Sequence, residues 1–433
     1  MNSVPNNLQQ TGLGSERLDR VRHWLDVQVD SHRLAGASVL VARNGCVAMA
    51  AASGHADIEL ASPFTTETIV RLYSMTKPVT TVAAMMLYER GCFQLDDPLA
   101  LYIPEFADTP VWLGDSVKSD DLLGSVTSQN SHITIRQLMN HTSGFTYGFM
   151  HQTPVDRYYR DNNIDFNAAD NNESLESMVS RLADMPLLAQ PGSSWNYGVS
   201  TDVLGRLVEI WSGMSLSQFF NTEIFQPLGM GETGFHAAAE HHERCAKLYG
   251  PADGTSLSSV GNVRDPLQGP REPVGVVRLD EGMENRIIEP PLLCSGGGGL
   301  VGTLSDYHRF SQMLLNRGSY EGVQLLGRKT VEYMMTNHLP EGRDMAAMGQ
   351  ASWSETSYEG IGFGLGFAVV LDPVKAHIVT SPGECHWGGA ASTFFWVDPA
   401  EDLLVVFLTQ LLPSSTYPLR RELRTLVYQS IIR

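Results

Sequence analysis

Of the chain's five lysines, only Lys77 has a serine three residues before it, in Ser74-Met75-Thr76-Lys77. Residues three apart share one side of a helix, so the hydroxyl and the amine can meet. The pair opens an apolar stretch, Val79–Tyr88, that ends at Arg90-Gly91. That stretch is hydrophobic nearly all round, which predicts a buried helix with Gly91 just past its end. A serine in the first turn lies near the positive end of the helix dipole, where developing negative charge is favoured. A lysine buried beside it either loses its proton or holds a neighbouring acceptor ionised, and both activate a hydroxyl. Pro78 has no N–H to return to Ser74, so an irregular first turn is expected. Taken alone, the spacing also fits a helix-capping serine followed by a surface lysine.

Other groupings carry less chemistry. His236, His241, His242 and Cys245 crowd one polar stretch, but their spacing fits no zinc pattern, so a solvated helix and no metal are expected. Gly296–Gly299 is not followed by Lys-Ser/Thr, which favours a tight turn beside the site over a phosphate cradle. Gly114-Asp115-Ser116 has the letters of a GDS-type lipase start but lies in an irregular insertion. No Gly-x-Ser-x-Gly elbow is present, against an α/β-hydrolase fold. No cofactor is indicated.

The elements that must position these groups come from a chain of 433 residues with net charge −18 and no basic cluster. Such a charge excludes a nucleic-acid backbone or an anionic membrane as partner. The apolar runs Val82–Tyr88 and Leu403–Leu408 are too short to span a bilayer. Met1–Gln10 has no basic segment followed by an apolar one, so a cytoplasmic protein is expected. Cys46, Cys92, Cys245, Cys294 and Cys385 are odd in number and scattered, which suits reduced thiols.

Ser15 is a candidate N-cap for a helix with Leu18, Val21, Leu25 and Val29 on one face. Ala37–Ala42 and Val47–Ala52 read as a hairpin about Asn44-Gly45. Near the other end, Gly366–Leu371, His377–Thr380, Thr393–Val397 and Leu403–Thr409 are strand-like, before a last helix over 418–432. The economical architecture is an α/β (α+β type) domain: an antiparallel sheet built from both ends with the terminal helices on one face. Between them, 134–140, 201–211, 215–225, 305–315 and 328–335 read as helices. The stretches 108–131 and 255–289 read as irregular loops, suited to lids or pocket walls.

Several segments, in order, resemble the class C β-lactamase-like serine hydrolases, and within them the bacterial carboxylesterases of family VIII. They are Tyr73–Pro78, Leu95–Pro98 with Tyr102–Phe106, Ile133–Leu138 with His141–Gly144, and Trp195-Asn196-Tyr197 ahead of Asp202–Gly205. Gly296–Leu300 with Asp306 and Arg309-Phe310, then Trp387-Gly388-Gly389, complete the series. The resemblance implies a β-lactamase/transpeptidase-like fold, with residues 1–75 and 297–433 in the α/β domain and 76–296 in a mostly helical domain with pocket loops. It implies Ser74 as nucleophile, Lys77 as its activating partner and Tyr197 as the base and acid. A phenol with an ordinary pKa near 10 serves as a base at neutral pH only beside positive charge, so Tyr197 needs Lys77. By position, the amides of Ser74 and Ala390 form the oxyanion hole. Trp387, Gly388 and Gly389, with Tyr147 and Phe149, line the substrate pocket.

Two departures from the lactamase pattern narrow the expectation. Val199 stands where Tyr-x-Asn has asparagine, and Trp387 where Lys-Thr-Gly has lysine. The groups that would bind a β-lactam's amide and carboxylate are therefore replaced. The expected activity is a serine carboxylesterase acting on small to medium acyl esters, with a small-molecule ester as partner. An acyltransferase or β-lactam hydrolase on the same site is the alternative. A silent ligand-binding relative is disfavoured by the intact Ser74, Lys77 and Tyr197.

Overall fold

The computed structural model describes residues 8–114, 124–166, 173–256, 271–281, 287–349 and 358–433. Asp115 and Ser116 of the GDS-like stretch, and residues 257–270 and 282–286 of the second irregular stretch, lie outside the described residues.

Among the described residues the largest sheet has eight strands. In chain order they are β1 (Gly36–Arg43), β2 (Cys46–Asp57), β3 (Ser62–Pro63), β4 (Ile361–Phe363), β5 (Ala368–Val370), β6 (Cys385–Gly388), β7 (Phe394–Asp398) and β8 (Leu403–Thr409). In space the order is β4-β5-β6-β7-β8-β1-β2-β3, antiparallel throughout. The hairpin turns on Asn44 and Gly45, both at positive φ, which a two-residue turn of this hand requires.

Side chains alternate between the two faces of the sheet with the period of a strand. Val39, Val41, Leu403, Val405 and Phe407 enter one core, with Leu18, Val21 and Leu25 of helix α1 (Ser15–Asp30) and Leu423 and Val427 of the C-terminal helix (Leu419–Tyr428). Leu40, Ala42, Leu404, Val406 and Leu408 enter the other core. There they meet helix α2 (Thr76–Glu89), whose residues Thr76 to Leu87 are all buried. Two further helices share that side, α3 (Ser200–Ser212) and α4 (Leu304–Leu315). With the C-terminal helix as α5, these five frame the site. Gly91 ends α2 as expected: its N–H reaches the Tyr88 carbonyl at 2.9 Å and Cys92 N–H reaches that of Leu87 at 3.1 Å.

Some expectations fail locally. Ser15 does not cap α1; Gly14 holds that position without a side-chain bond, and Ser15 is the first helical residue. His377–Thr380 is a turn, not a strand, although Ile378 and Val379 are β-formers. Asp372 accounts for this, since its Oδ1 accepts from the amides of Val374 and Lys375 at 3.0 and 3.2 Å. Pro373 O then accepts from Ile378 N at 3.2 Å, which curls the chain back. The expected helix over 215–225 divides into an α-turn at Leu216–Phe220 and a π-turn at Asn221–Phe225. The histidine-rich stretch is a short 3-10 helix, Ala239–Arg244.

An ion pair locks α5 beneath β6. Glu384, fully buried, accepts from Arg424 at 2.8 and 3.2 Å and lies 2.9 Å from His386 Nδ1. Burial pushes the Glu384 carboxyl up, but the Arg424 guanidinium and His386 outweigh it and hold it down at about 2. Removing one partner of such a pair leaves a buried, uncompensated charge. Glu384→Ala is therefore expected to lower unfolding free energy by about 3–5 kcal/mol at pH 7 in urea titrations. Because the folded carboxyl is depressed, its contribution is full above about pH 4.5 and vanishes as pH falls through about 2. The gap between mutant and wild type should close over that window.

Candidate active site

The chain enters the site through a strained turn. Tyr73 has φ +48°, in the left-handed region, where a bulky residue costs about 1–3 kcal/mol unless its surroundings enforce it. Leu72 N–H donates to Leu300 O at 2.9 Å, and Leu72 O accepts from Thr393 Oγ1 at 3.2 Å. Beyond the turn, Met75 O accepts from the Tyr307 hydroxyl of α4 at 2.9 Å. Residues Tyr73–Met75 form a 3-10 helix and α2 begins at Thr76, with Pro78 in its first turn. The expected irregular start is present, and it sets Ser74 just ahead of the helix N-terminus.

Lys77 is 1 % exposed. Its Nζ donates to Ser74 Oγ at 3.2 Å, to the Tyr147 hydroxyl at 2.9 Å and to Gly297 O at 2.7 Å. Those are three acceptors for the three donors of an ammonium. Nζ also lies 4.7 Å from the centre of the Tyr197 ring and 5.3 Å from that of Tyr147. The sequence placed Tyr147 among the pocket aromatics; the structure puts its hydroxyl on the lysine as well.

Tyr197 stands just before α3, on a segment held against residues 141–146. Asn196 N–H donates to His141 O at 2.8 Å and Val199 N–H to Thr146 O at 3.4 Å. Gly198 is pressed on the Phe145 backbone, where a Cβ would come within 2.6 Å of its carbonyl. His141 packs on Tyr197 with ring centres 4.9 Å apart. Burial, aided by Lys77, pushes its imidazole well below the ordinary histidine range, so it packs as a neutral ring.

A cavity of about 250 Å³ opens over Ser74. Tyr73, Tyr147, Phe149, Trp195, Tyr197 and Trp387 supply its aromatic walls, and Gly388, Gly389 and Ala390 its floor along the end of β6. The residues named for the nucleophile, tyrosine, oxyanion pair and pocket thus border one space. Trp387, 9 % exposed, is both core and wall, packing on Tyr197 and Phe363 at 5.4 and 5.1 Å. Arg420 and Arg421 of α5 and Asp165 also border the cavity.

Sequence reasoning left three participants unassigned. Gly297 lay within the glycine run read only as a turn. Asp202, fully buried in the first turn of α3, accepts on Oδ1 from Ser295 Oγ at 2.6 Å and from Gly297 N at 2.9 Å. His141 was noted only as part of a resembling segment. The one available signal for Asp202 was its place in Asp202–Gly205, five residues after Tyr197.

A serine just ahead of a buried helix, in contact with a buried lysine and bordering one cavity with the end of an antiparallel strand, defines a serine hydrolase of the β-lactamase/transpeptidase fold. The chain belongs to the Beta-lactamase family, whose sequence profile matches residues 21–429. It is 32 % identical over 391 residues to Protein Rv1367c of Mycobacterium tuberculosis, covering 89 % of this chain and 88 % of that one. It is 32 % identical over 415 residues to Esterase EstB of Burkholderia gladioli, covering 95 % and 94 %. Among solved structures, EstCE1, described as a hydrolase with promiscuous acyltransferase activity, superposes with TM-score 0.74 at 30 % identity over 95 % of this chain and 98 % of its own.

Gly389 joins the strand end to the nucleophile's turn. Its N–H donates to Thr393 O at 2.7 Å, and a Cβ there would collide with Thr393 Oγ1 and the Leu72 carbonyl. Gly389→Ala must push the strand end away from Tyr73-Ser74, and misplacement by about 1 Å costs about 10²-fold in rate. Turnover of p-nitrophenyl butyrate should fall by that order while circular dichroism shows an intact fold.

Proposed function

We propose that this chain is a carboxylesterase that hydrolyses small to medium acyl esters through an acyl-enzyme on Ser74. The observation that carries this reading is the contact of buried Lys77 with the Oγ of Ser74, a serine that lines an aromatic-walled cavity. In this reading Ser74 Oγ attacks the ester carbonyl and its proton passes into the Lys77–Tyr197 pair. The backbone amides of Ser74 and Ala390 receive the oxyanion. Tyr197 returns the proton to the departing alkoxide, and water repeats the sequence on the acyl-enzyme.

The size and lining of the cavity support the substrate class. At about 250 Å³ it falls just under the range typical of drug-sized ligands, about 300–1,000 Å³. Burying each methylene of an acyl chain against such walls contributes about 0.8 kcal/mol. The strand itself offers Trp387 where a cation would hold a carboxylate. The esterase names of EstB and EstCE1 support the same assignment. Transfer of the acyl group to an alcohol instead of water is the second reading, favoured by the acyltransferase activity in the description of EstCE1.

Two results test the proposal. Diethyl p-nitrophenyl phosphate should add one diethylphosphoryl group to the wild type, mapped by peptide mass to Ser74, and none to Ser74→Ala, which should also lose ester turnover. An adduct on Ser143 would overturn the assignment. In a substrate panel, p-nitrophenyl butyrate should exceed penicillin in kcat/KM by orders of magnitude, and Trp387→Lys should narrow that gap. Equal kcat/KM for the two substrates in the wild type would refute the esterase reading.

A further inference from the structure

We infer that Asp202 is a positioning residue for this reaction, holding Lys77 through Gly297 and supplying the negative charge against which the Lys77–Tyr197 pair exchanges its proton. This rests on the serine-hydrolase reading of Ser74 and Lys77 and assigns a role to a carboxylate that the mechanism above leaves unused.

The geometry is a relay through one residue. Asp202 Oδ1 accepts the amide of Gly297 at 2.9 Å, and the carbonyl of Gly297 accepts Lys77 Nζ at 2.7 Å. Position 297 must be glycine for this, because a Cβ there would collide with the Asp202 carboxylate. Ser295 Oγ, at 2.6 Å, fixes the same oxygen. As acceptors for two donors, Asn or Ser would serve at less cost, since a buried carboxylate is expensive unless its charge is compensated. The second oxygen sharpens the point: Asp202 Oδ2 is buried with no hydrogen-bond partner among the described residues. What aspartate alone adds here is charge.

The cation it faces is Lys77. Burial holds the Asp202 carboxyl above the ordinary aspartate value; Lys77, and then the bonds from Ser295 and Gly297, pull against that shift and favour the ionised form, while Asp165 adds to it. The other titratable groups around Lys77 are Tyr147 and His141 on the 141–147 segment and Tyr197 ahead of α3. Tyr147 is pushed well above its ordinary value, first by burial and then by Asp202, and His141 well below, so both stay neutral. An ionised Asp202 makes loss of a proton from the lysine–tyrosine pair harder, and deleting its charge makes it easier.

The test reads the pair without needing the natural ester. Diethyl p-nitrophenyl phosphate is attacked at phosphorus by Ser74 Oγ; the P–O bond to p-nitrophenolate breaks, and the serine proton passes to the pair. Second-order inactivation rates are measured from pH 5 to 10 for wild type and Asp202→Asn, with thermal melts to verify folding. The midpoint of the rising limb should move to the acid side by about one pH unit or more in Asp202→Asn. Ser295→Ala keeps the carboxylate but removes one of its donors, so Asp202 ionises less readily and a smaller shift in the same direction is expected. A folded Asp202→Asn whose midpoint matches wild type reduces Asp202 to a structural acceptor and overturns the inference. If Asp202→Asn does not fold, an unmoved midpoint in Ser295→Ala does the same. A wild type that the phosphate does not modify at Ser74 instead defeats the underlying serine-hydrolase reading.

Discussion

A lysine that is 1 % exposed must exchange its hydration shell for protein acceptors, and much of this structure follows from where those acceptors come from. One is the hydroxyl of Ser74, in the turn just ahead of its own helix. One is a tyrosine hydroxyl from the 141–147 segment, and one is a backbone carbonyl two hundred and twenty residues away in sequence. No single segment can satisfy Lys77. The 141–147 segment and the turn at Gly297 both have to close on α2 before the ammonium is solvated, which ties packing of remote segments to assembly of the site.

That dependence explains what could be read in advance. Strands β1, β2, β5, β7 and β8 were legible because they carry their instructions locally: β1 and β8 are apolar on both faces, the Asn44-Gly45 turn needs only its own residues, and α2 ends on its own Gly91. The short strands β3, β4 and β6 were not anticipated from the residue pattern. That Ser74 and Lys77 meet was legible from spacing, and that Tyr197 lies beside Lys77 from the segments that resemble the family. Gly297 and Asp202 were not, because their function is a pair of hydrogen bonds between elements remote in sequence. Tyr147 was half legible: an aromatic near a pocket can be anticipated, but its hydroxyl's partner cannot. The misread strand at His377–Thr380 shows the reverse failure, where one aspartate side chain overrides β propensity.

Strain at Tyr73 belongs to the same arrangement. A tyrosine at φ +48° does not hold that conformation alone. It is enforced from both sides, by Leu300 and Thr393 on Leu72 and by Tyr307 on Met75. The contacts come from the core that also surrounds α2, so the cost of the turn is met by packing that the fold already requires. The result is a serine whose backbone is fixed by the fold itself, which is what the oxyanion hole of the proposed reading requires.

The wall opposite the serine raises the converse problem. Glycines at the end of a strand let a substrate approach its edge closely, but they weaken the strand that presents it. Here Gly388-Gly389 directly follows Cys385-His386-Trp387, and Glu384 immediately before them is clamped to Arg424 of α5. Tyr428, one turn further along α5, donates to Asp398 at the end of β7, so the neighbouring strand is tied to the same helix. Trp387 is wedged between Tyr197 and Phe363. Rigidity is thus supplied at the buried end of β6 and by the indole, leaving Gly388 and Gly389 at its other end to border the cavity without side chains of their own. The same indole that braces the strand takes the place a carboxylate-binding lysine would need. On the proposed reading, support of the strand and a preference for neutral esters are therefore two consequences of one side chain.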